Sequence, residues 1–201
     1  MPQAIDRYFL LRRLHSLSGV VPVGGYLVFH LFANFTAVQG PEAYDRLIEG
    51  LENTPFLLAI EFALIYIPLL FHSIYGFLIA REPEVNVARY GYARNWLFFI
   101  QRATGVVAFA FIAVHMWQLR FVRPLNFEVV SALLRDPLWF WFYVFGVLCS
   151  VFHLCNGLWS FCVRWGITVG PRAQTVSSYV WAGVGVLLLF VGVNSLRAFV
   201  S

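Results

Sequence analysis

The chain has 201 residues, of which 60% are hydrophobic and only 12% charged, with a formal net charge of +4. A soluble domain carries about 25% charged residues, so this composition excludes a water-soluble globular protein and leaves no polar stretch to build a separate soluble domain. All 14 basic residues are arginine, and cytoplasmic loops of a membrane protein account for the small positive excess, so no nucleic-acid partner is implied.

The first residues, MPQAIDRYFLLRRLH, lack the order of basic region, apolar region and small-residue cleavage site that marks a signal peptide, so the first apolar segment is expected to be a retained anchor. A bilayer core needs about 20 mostly apolar residues per helix. Five segments qualify, at about 14–38, 56–80, 96–119, 138–163 and 178–200, with Trp96, Trp117, Trp139, Trp165 and Trp181 as interfacial anchors near their ends. The predicted fold is an all-α, polytopic membrane protein forming one membrane domain over residues 1–201. Arg7, Arg12, Arg13, Arg81, Arg89, Arg94, Arg102, Arg164 and Arg172 fall on the side of the N-terminus. Arg46, Arg120, Arg123, Arg135 and Arg197 fall on the other side. The excess predicts a cytoplasmic N-terminus.

Both outer loops contain a short amphipathic stretch, AYDRLIEGLEN and NFEVVSALLRD, each expected to form a surface helix before the chain re-enters the membrane. The inner loops, REPEVNVARYGYARN and RWGITVGPRAQ, read either as solvated connections or as contact surface for a docked partner. Cys149, Cys155 and Cys162 share one apolar segment and form neither CxxC nor CxxCH, which argues against an iron–sulfur cluster, a zinc site or covalently attached haem. They read as small buried hydrophobes.

A weak internal repeat relates helices one and two to helices three and four. Ser18, Gly19 and His30 correspond to Thr104, Gly105 and His115, and FHSIYG in helix two corresponds to FHLCNG in helix four. The histidines also agree in depth. At 1.5 Å per residue, His30 and His115 lie roughly 22 and 27 Å from the inner ends of their helices, and His72 and His153 roughly 12 and 15 Å. This sorts four intramembrane histidines into an outer pair, His30 with His115, and an inner pair, His72 with His153. A lone histidine in a bilayer is often just hydrogen-bonded to a neighbouring helix, but two depth-matched pairs ask for more. Two imidazoles without carboxylates make a poor zinc or iron site. Haem satisfies the count, since the porphyrin supplies four nitrogens and two neutral imidazoles complete the iron. Gly76 and Gly157, one turn from His72 and His153, admit a porphyrin or serve helix packing.

Haem propionates need cationic or hydrogen-bonding partners. Arg12, Arg13, His15, Ser18, Gln101, Arg102 and Thr104 gather near the inner ends of helices one and three and are candidates for propionate or quinone contacts. For any one arginine, anchoring at the interface is the plainer role. Glu61 lies inside helix two near its outer end. It is either a snorkelling interfacial group or a proton-handling residue of an outer quinone site with Arg120 as neighbour.

With these residues in view, the chain resembles the single-chain, five-helix, di-haem cytochrome b anchor subunits of succinate dehydrogenase and fumarate reductase. The resemblance rests on RRLHSLSGVVPVG, FHSIYG, RNWLFFIQRATG and FHLCNGLWSFCVRWGITVGPR, and spans nearly the whole chain. It implies two haem b groups ligated by His30/His115 and His72/His153, with no dicarboxylate chemistry on this chain. It also implies a flavoprotein and an iron–sulfur subunit docked on the cytoplasmic side of a prokaryotic inner membrane, and a quinone, of menaquinone type, as substrate. Physiological direction, succinate oxidation or fumarate reduction in respiration, stays open, as does oligomeric state. Two other readings remain: the cytochrome b subunit of a hydrogenase or formate dehydrogenase, and a haem-free transporter using the histidines as a proton relay around kinks at Pro22 and Pro68.

Overall fold

The computed structural model describes residues 7–82 and 85–201. The first six residues of the N-terminal stretch weighed as a signal peptide, and residues 83 and 84 of the first inner loop, lie outside the described residues. Among the described residues, seven helices follow in order: α1 (Arg7–Gln39), α2 (Pro41–Glu52), α3 (Leu57–Ala80), α4 (Ala93–Leu119), α5 (Phe127–Leu134), α6 (Pro137–Arg164) and α7 (Pro171–Ala198). Five of them, α1, α3, α4, α6 and α7, are long and apolar enough to cross a membrane, and no strand is present among the described residues. The chain is an all-helical, polytopic membrane bundle.

Local chemistry sets the helix starts and stops. α2, α6 and α7 each begin with proline, whose missing N–H costs nothing in a first turn. Asp136 accepts a hydrogen bond from the Leu138 N–H, and Asn126 caps α5 by accepting from the Val129 N–H. α6 stops where Gly166 turns left-handed (φ +70°), and the Ile167 N–H bonds back to the Cys162 carbonyl at 2.9 Å.

α1 and α3 are not uniform α-helices. Each contains a wider π turn, Gly19–Gly24 in α1 and Phe62–Tyr66 in α3, and the two turns pack against each other. Pro22 lies within the first and Pro68 just beyond the second, so each turn sits where a backbone donor is missing. The kinks that proline permits are thus absorbed as π turns within continuous helices, without the broken helices of a transporter core.

α6 is the central helix. Tyr143, Val147, Val151, Leu154 and Cys155 are buried where it packs between α4 and α7, and the outer half of α1 lies along α7. Cys149, Cys155 and Cys162 are all buried and unbridged. α3 lies at the edge with no buried residue, and Leu64, Ile67, Leu70, Ile74 and Leu78 form an exposed apolar stripe at helical spacing that suits lipid. The two expected surface helices, α2 and α5, form and dock on one another. The Phe127 N–H at the start of α5 donates to Asp45 Oδ1 at 2.7 Å, and the Tyr44 ring packs edge-on to Phe127 and Phe199. Together they close the outer end of the bundle.

Candidate functional site: two stacked histidine pairs

At the inner level, the His72 and His153 rings face each other across α3 and α6 with centroids 6.2 Å apart and planes 84° apart. Each ring is held from behind by a main-chain carbonyl. His72 Nδ1 lies 3.0 Å from the His15 oxygen on α1, and His153 Nδ1 lies 2.9 Å from the Gln101 oxygen on α4. A carbonyl only accepts, so each Nδ1 carries the proton and each Nε2 keeps a bare lone pair. The same two carbonyls accept hydroxyls from one turn on, Ser18 Oγ at 3.0 Å and Thr104 Oγ1 at 3.2 Å.

This close approach requires glycine. A Cβ on Gly19 would lie 2.2 Å from His72 Cε1, and one on Gly105 would lie 2.8 Å from His153 Cε1. Gly76 and Gly157 make room for different groups: a Cβ on Gly76 would meet His15 Nε2 at 3.0 Å, and one on Gly157 would meet Gln101 Nε2 at 3.3 Å. His15, expected among the propionate or quinone contacts, stacks flat on His72 with centroids 4.2 Å apart and planes 6° apart. Its counterpart Gln101 donates to the His153 carbonyl at 3.0 Å and accepts from Asn156 at 2.8 Å, tying α4 to α6.

A cavity of about 280 Å³ opens beside this pair, lined among others by His15, His72, Gln101, His153 and the cations Arg12 and Arg102. Among the described residues, Arg12 Nε and Arg102 Nη2 are buried donors with no hydrogen-bond partner. Arg12 also bonds Tyr8 and Glu82 through its other end. Three of the expected contacts lie elsewhere. Arg13 is sandwiched between Phe9 and Trp165, 4.9 and 4.8 Å from their ring centres. Ser18 and Thr104 spend their hydroxyls on their own helices, because a short hydroxyl inside a helix reaches the carbonyl one turn back. Arg94 and Arg164, by contrast, line the cavity. Their loop-edge positions hid them in the sequence, where an interfacial arginine reads as an anchor.

At the outer level, His30 and His115 have centroids 5.7 Å apart and planes 75° apart. Each has an aromatic ring one turn before it on its own helix, Tyr26 at 5.5 Å from His30 and Phe111 at 5.8 Å from His115. His115 Nδ1 lies 3.3 Å from the Tyr143 hydroxyl, and Asn34 Nδ2 lies 3.3 Å from His30 Nε2 while donating to the His30 carbonyl at 2.8 Å. Glu61 and Arg120 meet at 2.5 Å, and Arg120 Nε donates to the Tyr66 hydroxyl at 2.7 Å inside the second π turn. Their side chains are only 18% and 27% exposed, so the pair is largely withdrawn from solvent.

The residues fit haem. A nitrogen–metal bond is about 2.0–2.1 Å, so two imidazoles on opposite sides of one iron place their centroids about 6 Å apart. Both pairs have that spacing, the inner pair has both Nε2 atoms bare, and the unpartnered guanidinium donors suit carboxylate oxygens.

A five-helix membrane bundle with two histidine pairs stacked across its thickness defines a class, the polytopic cytochrome-like electron carriers. The model of the succinate dehydrogenase/fumarate reductase transmembrane subunit family matches residues 83–192. The succinate dehydrogenase cytochrome b558 subunit of Bacillus subtilis (strain 168) is 43% identical over 199 residues, covering 97% of this chain and 98% of that one. The chain belongs to this family and is a cytochrome b membrane subunit of succinate dehydrogenase/fumarate reductase, an oxidoreductase complex. That places it apart from the hydrogenase cytochromes and the transporters.

Proposed function

We propose that this chain carries electrons across the inner half of the membrane and beyond through two haem b groups, one held by His72 and His153 and one by His30 and His115. Haem iron, when bound, supplies reversible one-electron transfer. The observation that carries the reading is the pairing itself: two depths, two parallel helix pairs, and ring centroids at 6.2 and 5.7 Å. The main-chain carbonyls of His15 and Gln101 fix the inner rings in the ligating tautomer before any metal arrives. Arg12 and Arg102, with Arg94 and Arg164 along the same wall, neutralise propionates at the inner site.

The arginine bias puts the N-terminus and the inner pair on the cytoplasmic side, where a flavoprotein and an iron–sulfur subunit dock on the inner loops. At the opposite end, the Glu61–Arg120–Tyr66 cluster is the place for a quinone, of menaquinone type, to exchange protons. Glu61 accepts or releases the proton, and Arg120 holds its carboxylate in place. Replacing Glu61 by Gln should abolish quinone turnover while dithionite still reduces both haems.

The decisive test is a dithionite-minus-ferricyanide difference spectrum with haem quantitation on the purified complex. Two haem b per chain is the expected result, with loss of haem in His72→Ala and His115→Ala variants. Full haem content with both histidines replaced would end the reading.

A further inference from the structure

The four paired histidines differ in what holds them from behind. His72 and His153 lean on main-chain carbonyls, which no side-chain substitution removes. His115 leans on a side chain. Its Nδ1 lies 3.3 Å from the hydroxyl of Tyr143, a residue on α6 only 5% exposed. That hydroxyl is 3.0 Å from Gln118 Oε1, which has lone pairs and no proton. The Tyr143 O–H therefore donates to Gln118, and its own lone pairs face His115. The Nδ1 of His115 must then carry the proton, and Nε2 is left bare toward His30.

The aromatic surroundings make this bond consequential. Phe111 packs against both the His115 and the Tyr143 rings, with centroids 5.8 and 5.4 Å away, and the Tyr143 ring sits 5.6 Å from that of His115. A buried N–H with no acceptor is costly.

We infer that Tyr143, oriented by Gln118, is a positioning residue for the outer site, setting the tautomer and electron-donating strength of His115. The inference rests on the reading of His115 as an axial ligand. An acceptor on Nδ1–H makes the imidazole a stronger donor to a metal at Nε2 and favours the oxidised ion. Taking the acceptor away raises the midpoint potential of that site and leaves the inner one alone, because the inner acceptors are backbone atoms.

The test is a potentiometric titration, with low-temperature electron paramagnetic resonance, of the whole membrane-bound complex carrying Tyr143→Phe, Gln118→Leu, Gln118→Glu or His115→Leu. Tyr143→Phe should raise the midpoint of one haem only and move that haem's low-field signal. Gln118→Leu should do the same to a smaller extent, and Gln118→Glu, which keeps an acceptor for the phenol, should not raise that midpoint. Unchanged midpoints and signals in both Tyr143→Phe and Gln118→Leu would overturn the inference, as would equal shifts of both haems. If Tyr143→Phe does not assemble, Gln118→Leu decides alone by the same criteria. His115→Leu separates the two levels: loss of one haem upholds the ligand reading whatever Tyr143 does, and retention of both removes the ligand reading and the inference with it.

Discussion

The first half of the chain, α1 with α3, and the second, α4 with α6, are built on one plan with different fillings. Gly19 and Gly105 admit a histidine ring, His15 and Gln101 offer a carbonyl behind it, and Gly76 and Gly157 clear space for the side chains of those two residues. The plan diverges in length. Eleven positions separate Gly19 from His30 but ten separate Gly105 from His115. The π turn at Gly19–Gly24 falls within the longer interval. One inserted residue in an α-helix is what a π turn absorbs. The first half thus keeps His30 facing the partner helix while changing what stands at the outer level. There it carries Tyr26, Glu61 and Tyr66, where the second half is sealed by Phe111 and Tyr143.

Removing one residue from either half would test this comparison most severely. Deleting Ala108 from α4, where no π turn can take up the change, should turn the outer part of that helix by about 100°, since an α-helix has 3.6 residues per turn, whereas deleting Val20 should only convert the π turn of α1 into regular helix. The expected result is loss of the outer haem with retention of the inner one for the Ala108 deletion, and retention of both for the Val20 deletion, read by haem quantitation and redox titration. Next in size, Gly19→Ala should displace His72 and Gly105→Ala should displace His153, each overpacked site costing about 1–3 kcal/mol. The 2.2 Å contact at Gly19 against 2.8 Å at Gly105 predicts the greater loss of thermal stability and inner haem for Gly19→Ala.

A smaller effect sharpens the inner level. Gln101→Leu removes the hydrogen bond to the His153 carbonyl and the shorter of the two that Asn156 donates, the other going to the Leu97 carbonyl at 3.3 Å, and the destabilisation should be about 1–2 kcal/mol, measured as a fall in Tm of the complex. His15→Leu keeps the carbonyl that holds His72 and removes only the stacked ring, so its effect on haem content should be weaker than that of Gly19→Ala. Smallest of all, Arg46→Ala breaks an exposed contact of 3.9 Å to Glu42 on the outer surface helix and should leave Tm and both midpoints unchanged.

Much of the site was legible because helical rise is constant. Counting residues is enough to place His30 beside His115 and His72 beside His153, and the structure brings those same rings together. The Glu61–Arg120 contact was legible for a related reason, since two ionisable groups at one depth in lipid seek each other. Legibility failed where the answer depended on helix rotation. Gly76 and Gly157 share a helix face with His72 and His153, yet that face also meets His15 and Gln101, and spacing along one helix does not say which neighbour fills the gap. Arg13 differs from Arg12 by one position, about 100° of rotation, and lies between two aromatic rings while Arg12 lines the cavity.

Composition and periodicity alone determined that the chain is a five-span membrane bundle with two histidine levels, because burial of apolar length in lipid and helical rise are both local quantities. Only the tertiary structure decided which ring nitrogen is free. That choice is made by acceptors on other helices, the carbonyls of His15 and Gln101 and the phenol of Tyr143, and a main-chain carbonyl leaves no mark in a sequence.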